Sequence, residues 1–240
     1  MKTLFALTAA LILLAGHAPA QTLDDANRAF VAGKFHDATQ AYEAVLAQNG
    51  YSAPVLFDLG NAYYKDGNIG QAILAYQRAQ WLAPGDADIA ANLQFAQKQA
   101  GLAATESHWS DRISRVLSAS SWAWIGCAAW TLLCASLLLR VVVPRQNNLF
   151  SFTAIASAFV LTTAIAGAVF ASNATRQAVV VDKNVNAVIA PFPEAQTVFS
   201  PAPGETVTIL ESHGDFLRVV DRTGHAGWIS KAQVTPIVPS

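Results

Sequence analysis

The stretch APVLFDLGNAYYKDGNIGQAILAYQRAQWLAP, residues 53–84, decides the fold of this 240-residue chain. Apolar residues recur at helical spacing on both sides of a polar break at residues 65–68, which predicts two helices. Their shared faces carry Leu56, Leu59, Gly60 and Tyr63 in the first helix and Ala72, Tyr76 and Ala79 in the second. The small residues allow close approach, and the tyrosines fill the space between turns. Gly67 marks the end of the first helix and Pro84 the end of the second, so the stretch predicts a helical hairpin.

A second copy of this pattern lies one period upstream. Four residue pairs recur at the same constant offset: Asn27 and Asn61, Gly33 and Gly67, Ala38 and Ala72, and Tyr42 and Tyr76. Downstream, residues 86–99 predict a closing helix with Asp86 as its N-cap and with inward-facing Ile89, Leu93 and Ala96. The period and its residues resemble the tetratricopeptide repeat. This resemblance implies an all-α solenoid over residues 21–101, because one hairpin cannot bury its faces alone.

The composition indicates membrane segments. The chain is 53% hydrophobic and 13% charged, with a mean hydropathy of +0.32, whereas soluble globular proteins are about a quarter charged. Its net charge is −1 and its Lys and Arg residues do not cluster, which argues against nucleic acid as a partner. Both cysteines, Cys127 and Cys134, lie inside an apolar run without metal-ligand or redox spacing. The sequence therefore predicts neither a structural disulfide nor a metal site.

The N-terminus has the pattern of a secretory signal peptide over residues 1–20. Lys2 precedes an apolar stretch, and Ala18-Pro19-Ala20 forms a small-x-small cleavage signal, which predicts cleavage before Gln21. The alternative is an uncleaved signal anchor. Residues 102–120 are predicted to be a linker. Within it, residues 111–117 are either an amphipathic segment at the bilayer surface or a plain connecting helix.

Two apolar runs, residues 121–143 and 149–172, are each long enough to cross a bilayer. The connection at residues 144–148 is short, and Arg140 and Arg145 lie beside or within it. Together with an exported N-terminus, these arginines predict a hairpin in a bacterial inner membrane with a cytoplasmic loop and both end domains in the periplasm. Small residues in the second span allow close packing, either within the hairpin or against another membrane protein. Ionisable residues are missing from the depth of both spans, which predicts an anchor and not a transporter.

After Arg176 the pattern changes to short alternating runs separated by turn residues. Residues 178–181, 186–189, 205–210, 215–220 and 226–230 predict five strands of a small all-β barrel. The segments PGETVTILESHGDFLRVVD (203–221) and GHAGWISKAQV (224–234) resemble bacterial Src-homology-3-like domains, which implies such a domain over residues 176–240. Residues 186–191, NAVIAP, depart from that family because they lack its loop arginine and glycine, which weakens any ligand-binding role of that loop.

The sequence favours binding over catalysis. None of the histidines has a second histidine or cysteine at metal-ligand spacing, and His213 and Asp215, on either side of Gly214, are predicted to form a solvated turn and not a catalytic dyad. We therefore expect no enzymatic activity and no cofactor. In tetratricopeptide arrays the first helix of each hairpin lines a peptide groove. The resemblance therefore implies groove candidates Asn27, Phe30, Phe57, Asn61, Tyr64 and Lys65. A side-chain amide can give a donor and an acceptor to an extended backbone, although both asparagines could be plain exposed residues. In the barrel, Trp228 is either a ligand surface or a packing residue.

The order of parts and the segment FDLGNAYYKDGNIGQAILAYQRAQWLAPGDADIAANL (57–93) resemble BatE proteins of the Bacteroides aerotolerance (Bat) operon. The resemblance implies a non-enzymatic scaffold for envelope or oxidative stress tolerance. It also implies protein partners with von Willebrand factor A domains, acting with a MoxR-type ATPase. The alternative follows from the Src-homology-3-like resemblance, which implies a membrane-tethered module that binds peptidoglycan.

Overall fold

The computed structural model describes residues 22–103, 119–143, 147–174 and 176–238. These residues form seven α-helices: α1 (Leu23–Val31), α2 (Phe35–Asn49), α3 (Ala53–Lys65), α4 (Ile69–Leu82), α5 (Ala87–Gln99), α6 (Ala119–Val142) and α7 (Asn147–Ala174). They also form seven strands: β1 (Gln177–Val180), β2 (Ala187–Val188), β3 (Thr197–Phe199), β4 (Thr206–His213), β5 (Phe216–Val220), β6 (Ala226–Ser230) and β7 (Val234–Pro236). The predicted signal peptide and the amphipathic segment at 111–117 lie outside the described residues.

The first two hairpins turn in the same way at equivalent positions of the repeat. Gly33 between α1 and α2 has φ of 74°, and Gly67 between α3 and α4 has φ of 79°, a left-handed conformation that glycine adopts without steric cost. The next residue donates its backbone N–H to a carbonyl five residues earlier, Lys34 to Ala29 and Asn68 to Tyr63. The predicted helix end at Gly67 is thus confirmed, and the upstream copy repeats its geometry.

Helices α3 and α4 approach closely because Gly60 has no side chain. A Cβ atom at Gly60 would lie 2.5 Å from Cε1 of Tyr76, so the tyrosine ring occupies the space that the glycine leaves. Leu56 and Leu59 are buried beside it, as predicted. Tyr63 differs from the prediction: it is only half-buried and its hydroxyl donates to the Glu43 carboxylate on α2.

The predicted closing helix is confirmed as α5. The Asp86 carboxylate caps its first turn by accepting the backbone N–H groups of Asp88 and Ile89, at 3.0 and 3.2 Å. The inward face consists of buried Ile89, Leu93, Ala96 and Gln97. The last of these, a polar residue, was not predicted.

Helices α6 and α7 pair with each other and are long and apolar enough to cross a membrane over Ser120–Val142 and Asn148–Val169. Phe152, Ile155 and Phe159 are each more than 70% exposed, as lipid-facing side chains would be. The contact between the helices uses small residues: Ala129 and Ser136 in α6, and Ala154, Ser157, Ala164, Gly167 and Ala171 in α7. Most of the small residues noted in the second span therefore pack within the hairpin.

The C-terminal region is one antiparallel sheet in the order β3-β2-β6-β5-β4-β1-β7. Within the described residues its two end strands are unpaired on their outer edges, so the sheet is open. The five predicted strands are present, but β3 and β7 are additional, and the prediction of five strands was wrong. Both have three residues, too few for alternation to reveal them, and β7 ends at Pro236. The sheet core consists of Ala178, Val180, Val185, Ala187, Val207, Val219, Ile229 and Val234.

The sheet packs directly on the helical region. A shared core joins Ala72, Ile73, Leu74, Tyr76, Leu93 and Ala96 of the helices to Val179 and Ile237. Polar contacts surround it. The Arg78 guanidinium donates through Nε to the Ile237 carbonyl at 3.1 Å and through Nη2 to the Pro236 carbonyl at 2.9 Å, and Gln77 Nε2 donates to Thr206 Oγ1 at 2.9 Å. The two regions therefore share one interface.

Candidate peptide-binding face

Two tyrosine hydroxyls orient the two predicted asparagines. Tyr42 donates to Asn27 Oδ1 at 2.7 Å, and Tyr76 donates to Asn61 Oδ1 at 2.8 Å. Burial, with a smaller contribution from the negative charge of Asp58, raises the pKa of Tyr42 to about 12. Burial also raises the pKa of Tyr76 above its usual range. Both groups are therefore hydroxyl donors at neutral pH, and the same contact recurs at equivalent positions of the two repeats.

These contacts change what the asparagines can offer a ligand. Each amide oxygen already accepts a tyrosine hydroxyl, while the Nδ2 groups of Asn27 and Asn61 donate to no acceptor among the described residues. An amide oxygen has two lone pairs. Asn61 Oδ1 accepts from both Tyr76 and Asn92, so this amide offers a peptide only its donors. Asn27 Oδ1 accepts from Tyr42 alone, so the expectation of a donor and an acceptor stays a prediction at Asn27.

Helix α5 adds two residues to this surface. Asn92 Nδ2 donates to Asn61 Oδ1 at 3.3 Å, and the Phe95 ring lies 5.5 Å from the Tyr64 ring in a tilted arrangement. Phe95 is 51% exposed. The sequence analysis missed both residues, although Phe95 follows Asn61 by one repeat period, as Asn61 follows Asn27. The repeat spacing was the signal that could have identified this residue.

Asp58 is the other residue that sequence analysis missed. It lies on α3 one turn before Asn61, is half-buried, and burial raises its carboxyl pKa above the usual range. Among the described residues it has no hydrogen-bond donor and no cation within ion-pair distance. Its negative charge also contributes to the raised pKa of Tyr42, whose hydroxyl donates to Asn27. We call the surface formed by Asn27, Asp58, Asn61, Tyr64, Asn92 and Phe95 the amide face.

The remaining groove candidates occupy different positions. Phe57 packs inward, 6.0 Å from the Tyr76 ring and against two of the hydrophobic clusters, so its main role is in the core. Phe30 is half-buried and packs edge-on to Phe35 at 5.6 Å. Lys65 is exposed at the C-terminal end of α3. Of the six candidates, the structure brings Asn61 and Tyr64 together with α5, and it gives Asn27 the equivalent tyrosine contact in the first repeat.

Trp228 is half-buried in β6, opposite Val188 of β2 and Arg218 of β5. Its ring meets the exposed His213 ring edge-on at 6.3 Å. Packing between three strands accounts for its position. Its role as a ligand surface stays a prediction.

Asp221, Thr223 and His225 meet in the turn between β5 and β6 and have the composition of a catalytic triad. Thr223 Oγ1 and Asp221 Oδ2 lie 2.7 and 3.1 Å from the same ring nitrogen, His225 Nδ1. A proton relay needs the nucleophile on one ring nitrogen and the carboxylate on the other. Asp221 also accepts the backbone N–H groups of Thr223 and His225. The arrangement stabilises the turn and does not form a relay.

No group of three or more His, Cys, Asp or Glu residues within the described ranges is placed to hold a metal ion. No protein-family model matches the chain, and no protein of curated function matches it in sequence. The amide face is thus the surface on which a functional proposal can be based.

Proposed function

We propose that this chain is a non-enzymatic, membrane-anchored scaffold whose helical region binds extended segments of partner proteins. The observation that carries the proposal is the amide face. Two asparagines at equivalent positions keep free amide donors, and one of them, Asn61, contacts Asn92 on the helix that carries the exposed ring of Phe95. Amide donors can hold the carbonyl groups of an extended chain without regard to its side chains, and aromatic rings can bury apolar ones.

We further propose that residues 22–101 are a tetratricopeptide array and that residues 176–238 are a Src-homology-3-like domain. The repeated Tyr–Asn contacts and the paired turns at Gly33 and Gly67 support the first assignment. The antiparallel order of β4, β5 and β6 and the short 3₁₀ turn at Lys231–Gln233 support the second. From the resemblance to BatE proteins we propose that the partners are proteins with von Willebrand factor A domains. These partners would act with a MoxR-type ATPase in envelope or oxidative stress tolerance.

The proposed location is a bacterial inner membrane, with α6 and α7 as the spans and both end regions in the periplasm. Ser212 in the β4–β5 hairpin and Asn148 at the start of α7 are exposed and lie on opposite sides of the membrane in this arrangement. A Ser212→Cys variant in spheroplasts should react with a membrane-impermeant maleimide, whereas Asn148→Cys should react only after permeabilisation. Reversed labelling would overturn the proposed orientation.

The binding proposal is tested by crosslinking and affinity purification of the tagged full chain from detergent-solubilised membranes. The test variant is Asn61→Ala/Tyr64→Ala, which removes two side chains of the amide face. The matched control is Tyr76→Phe, which breaks the same internal hydrogen bond to Asn61 but leaves the surface side chains in place. We expect von Willebrand A proteins with the native chain and the control, and their loss with the test variant.

Three other outcomes would change the proposal. Retention of the partners by the test variant would keep the scaffold but move the contact to the spans or the sheet. Loss in both variants would mean that the effect arises from the internal hydrogen bond and not from the surface. Recovery of peptidoglycan fragments alone would replace the scaffold with the cell-wall module.

A further inference from the structure

We propose that the amide face selects partner segments that carry a lysine or arginine side chain, and that Asp58 is the residue that receives it. This inference rests on the proposed peptide-binding function and specifies its ligand chemistry. The occupant is an extended cationic segment of a partner protein. Its backbone carbonyls accept the Asn27 and Asn61 amide donors, while its cationic side chain meets the Asp58 carboxylate.

The position of Asp58 is the first argument. It precedes Asn61 by three residues on α3, so the two side chains lie one turn apart on one helix face. Its charge acts on Tyr42, whose hydroxyl holds Asn27. The carboxylate therefore lies one turn from one amide, and its charge acts on the hydroxyl that holds the other. We infer that a chain bound to both amides brings its cationic side chain to Asp58.

The second argument is that Asp58 has no internal partner among the described residues. Several other carboxylates of the helical region have hydrogen bonds of their own: Asp25 with Thr22 and Arg28, Asp66 with Asn68, and Asp86 with its helix cap. The carboxylates of Asp24, Asp37 and Asp88 have none among the described residues, but all three residues are exposed to solvent, whereas Asp58 is half-buried. A half-buried carboxylate without a donor costs stability, because it loses hydration and gains nothing in return. Such a cost is explained when the partner comes from another molecule.

The charges around Asp58 agree with a cationic occupant. Asp24 occupies the position of α1 that is equivalent to Asp58 in α3, and it is exposed without an ion pair among the described residues. The nearest cation on the same helix is Lys65, two turns further along and exposed. No cation of the helical region lies within ion-pair distance of Asp58 in the described structure. The surface therefore complements positive charge at Asp58.

The experiment measures peptide binding to the full chain in detergent micelles by fluorescence polarisation. The probes are three fluorescein-labelled Ala-Ser host peptides of equal length that differ only in a central lysine, norleucine or glutamate. The proteins are the native chain, Asp58→Asn and Asp37→Asn. The last is the matched control, because it removes the same charge from an exposed position on α2 and tests for non-specific attraction.

We expect the native chain and Asp37→Asn to prefer the lysine peptide over norleucine by about five- to tenfold, as a partly exposed charged hydrogen bond would give. For Asp58→Asn the ratio should fall to about one, with norleucine binding unchanged. A preserved lysine preference in Asp58→Asn, or an equal loss in Asp37→Asn, would overturn the inference while the peptide face remains. Failure of the native chain to bind any of the probes would overturn the proposed function as well.

Discussion

Replacing Gly70 by alanine tests the packing of the sheet on the helices. Gly70 lies in the first turn of α4, and a Cβ atom there would be 2.6 Å from the Val181 carbonyl oxygen and 3.0 Å from that of Val180. An ordinary carbon–oxygen contact is about 3.3 Å, so the first distance is short by roughly 0.7 Å. Both oxygens belong to the backbone at the end of β1, which cannot rotate away as a side chain could.

The expected magnitude follows from two opposing effects. Overpacking costs about 1–3 kcal/mol, and a clash with backbone that cannot rotate away belongs in the upper part of this range, at about 2–3 kcal/mol. Alanine in a helix gains about 1 kcal/mol over glycine, so the net loss is about 1–2 kcal/mol. The control is Gly85→Ala in the turn before α5, where a Cβ would meet no atom within 4 Å, and where we expect no loss or a gain of about 0.5 kcal/mol. The two variants should therefore differ by about 1–2.5 kcal/mol.

Urea unfolding of the full chain in detergent micelles measures this difference, and hydrogen exchange locates it. In Gly70→Ala, exchange should accelerate in β1 and at the start of α4, because the interface must open to admit the methyl group. Exchange in β2 and β3, which lie at the end of the sheet order furthest from β1, should change least. If Gly70→Ala were as stable as Gly85→Ala or more stable, the close contact between α4 and β1 would be refuted.

Three further predictions concern single contacts. Tyr76→Phe should lower the free energy of unfolding by about 1 kcal/mol, because it removes the hydroxyl bound to Asn61; no change in the urea midpoint would contradict that contact. Arg78→Ala should cost about 2 kcal/mol by leaving two carbonyls at the end of β7 without donors, and Arg78→Lys should recover only part of it; equal stability of the two variants would contradict a two-donor contact. Burial raises the pKa of Asp221, but hydrogen bonds within its turn outweigh burial and lower the pKa to about 2. Because the unfolded value is near 3.8, Asp221 should stabilise the fold above about pH 4 and lose this effect as the pH falls towards 2. The stability advantage of the native chain over Asp221→Asn should shrink over that window, and a constant difference would be evidence against it.

The helical region could be predicted from sequence because its contacts are local and repeat. Gly60, Gly67 and Asp86 each act within one hairpin, so spacing along the chain identifies their roles. The two apolar spans were evident for a similar reason, since length and hydropathy alone define them. The sequence also showed that α7 contains small residues that allow close packing. The sequence pattern did not indicate which of these residues face α6.

Contacts between distant segments could not be predicted. Val179 and Ile237 belong to apolar runs, and such runs are typical of residues in the core of a sheet. Nothing in their spacing along the chain indicates that their side chains pack against the helices. Strand β7 was missed because three residues are too few for a periodic signal. Asp58 was missed for another reason. An isolated aspartate on a helix is usually a solvent-exposed residue, and the sequence does not show that this one is half-buried and without a hydrogen-bond donor among the described residues.

The packing of the sheet on α4 and α5 affects how this protein can be divided for experiments. A fragment ending near residue 103 would leave Leu93 and Ala96 uncovered, and a fragment starting at residue 176 would do the same to Val179 and Ile237. Each fragment would expose an apolar surface that is buried in the full chain. Binding of such a fragment to sacculi, membranes or other proteins would then reflect non-specific association of this exposed surface. The helical region and the sheet, although separated in the chain by α6 and α7, therefore form a single unit of folding, and experiments on either region require a polypeptide that contains both.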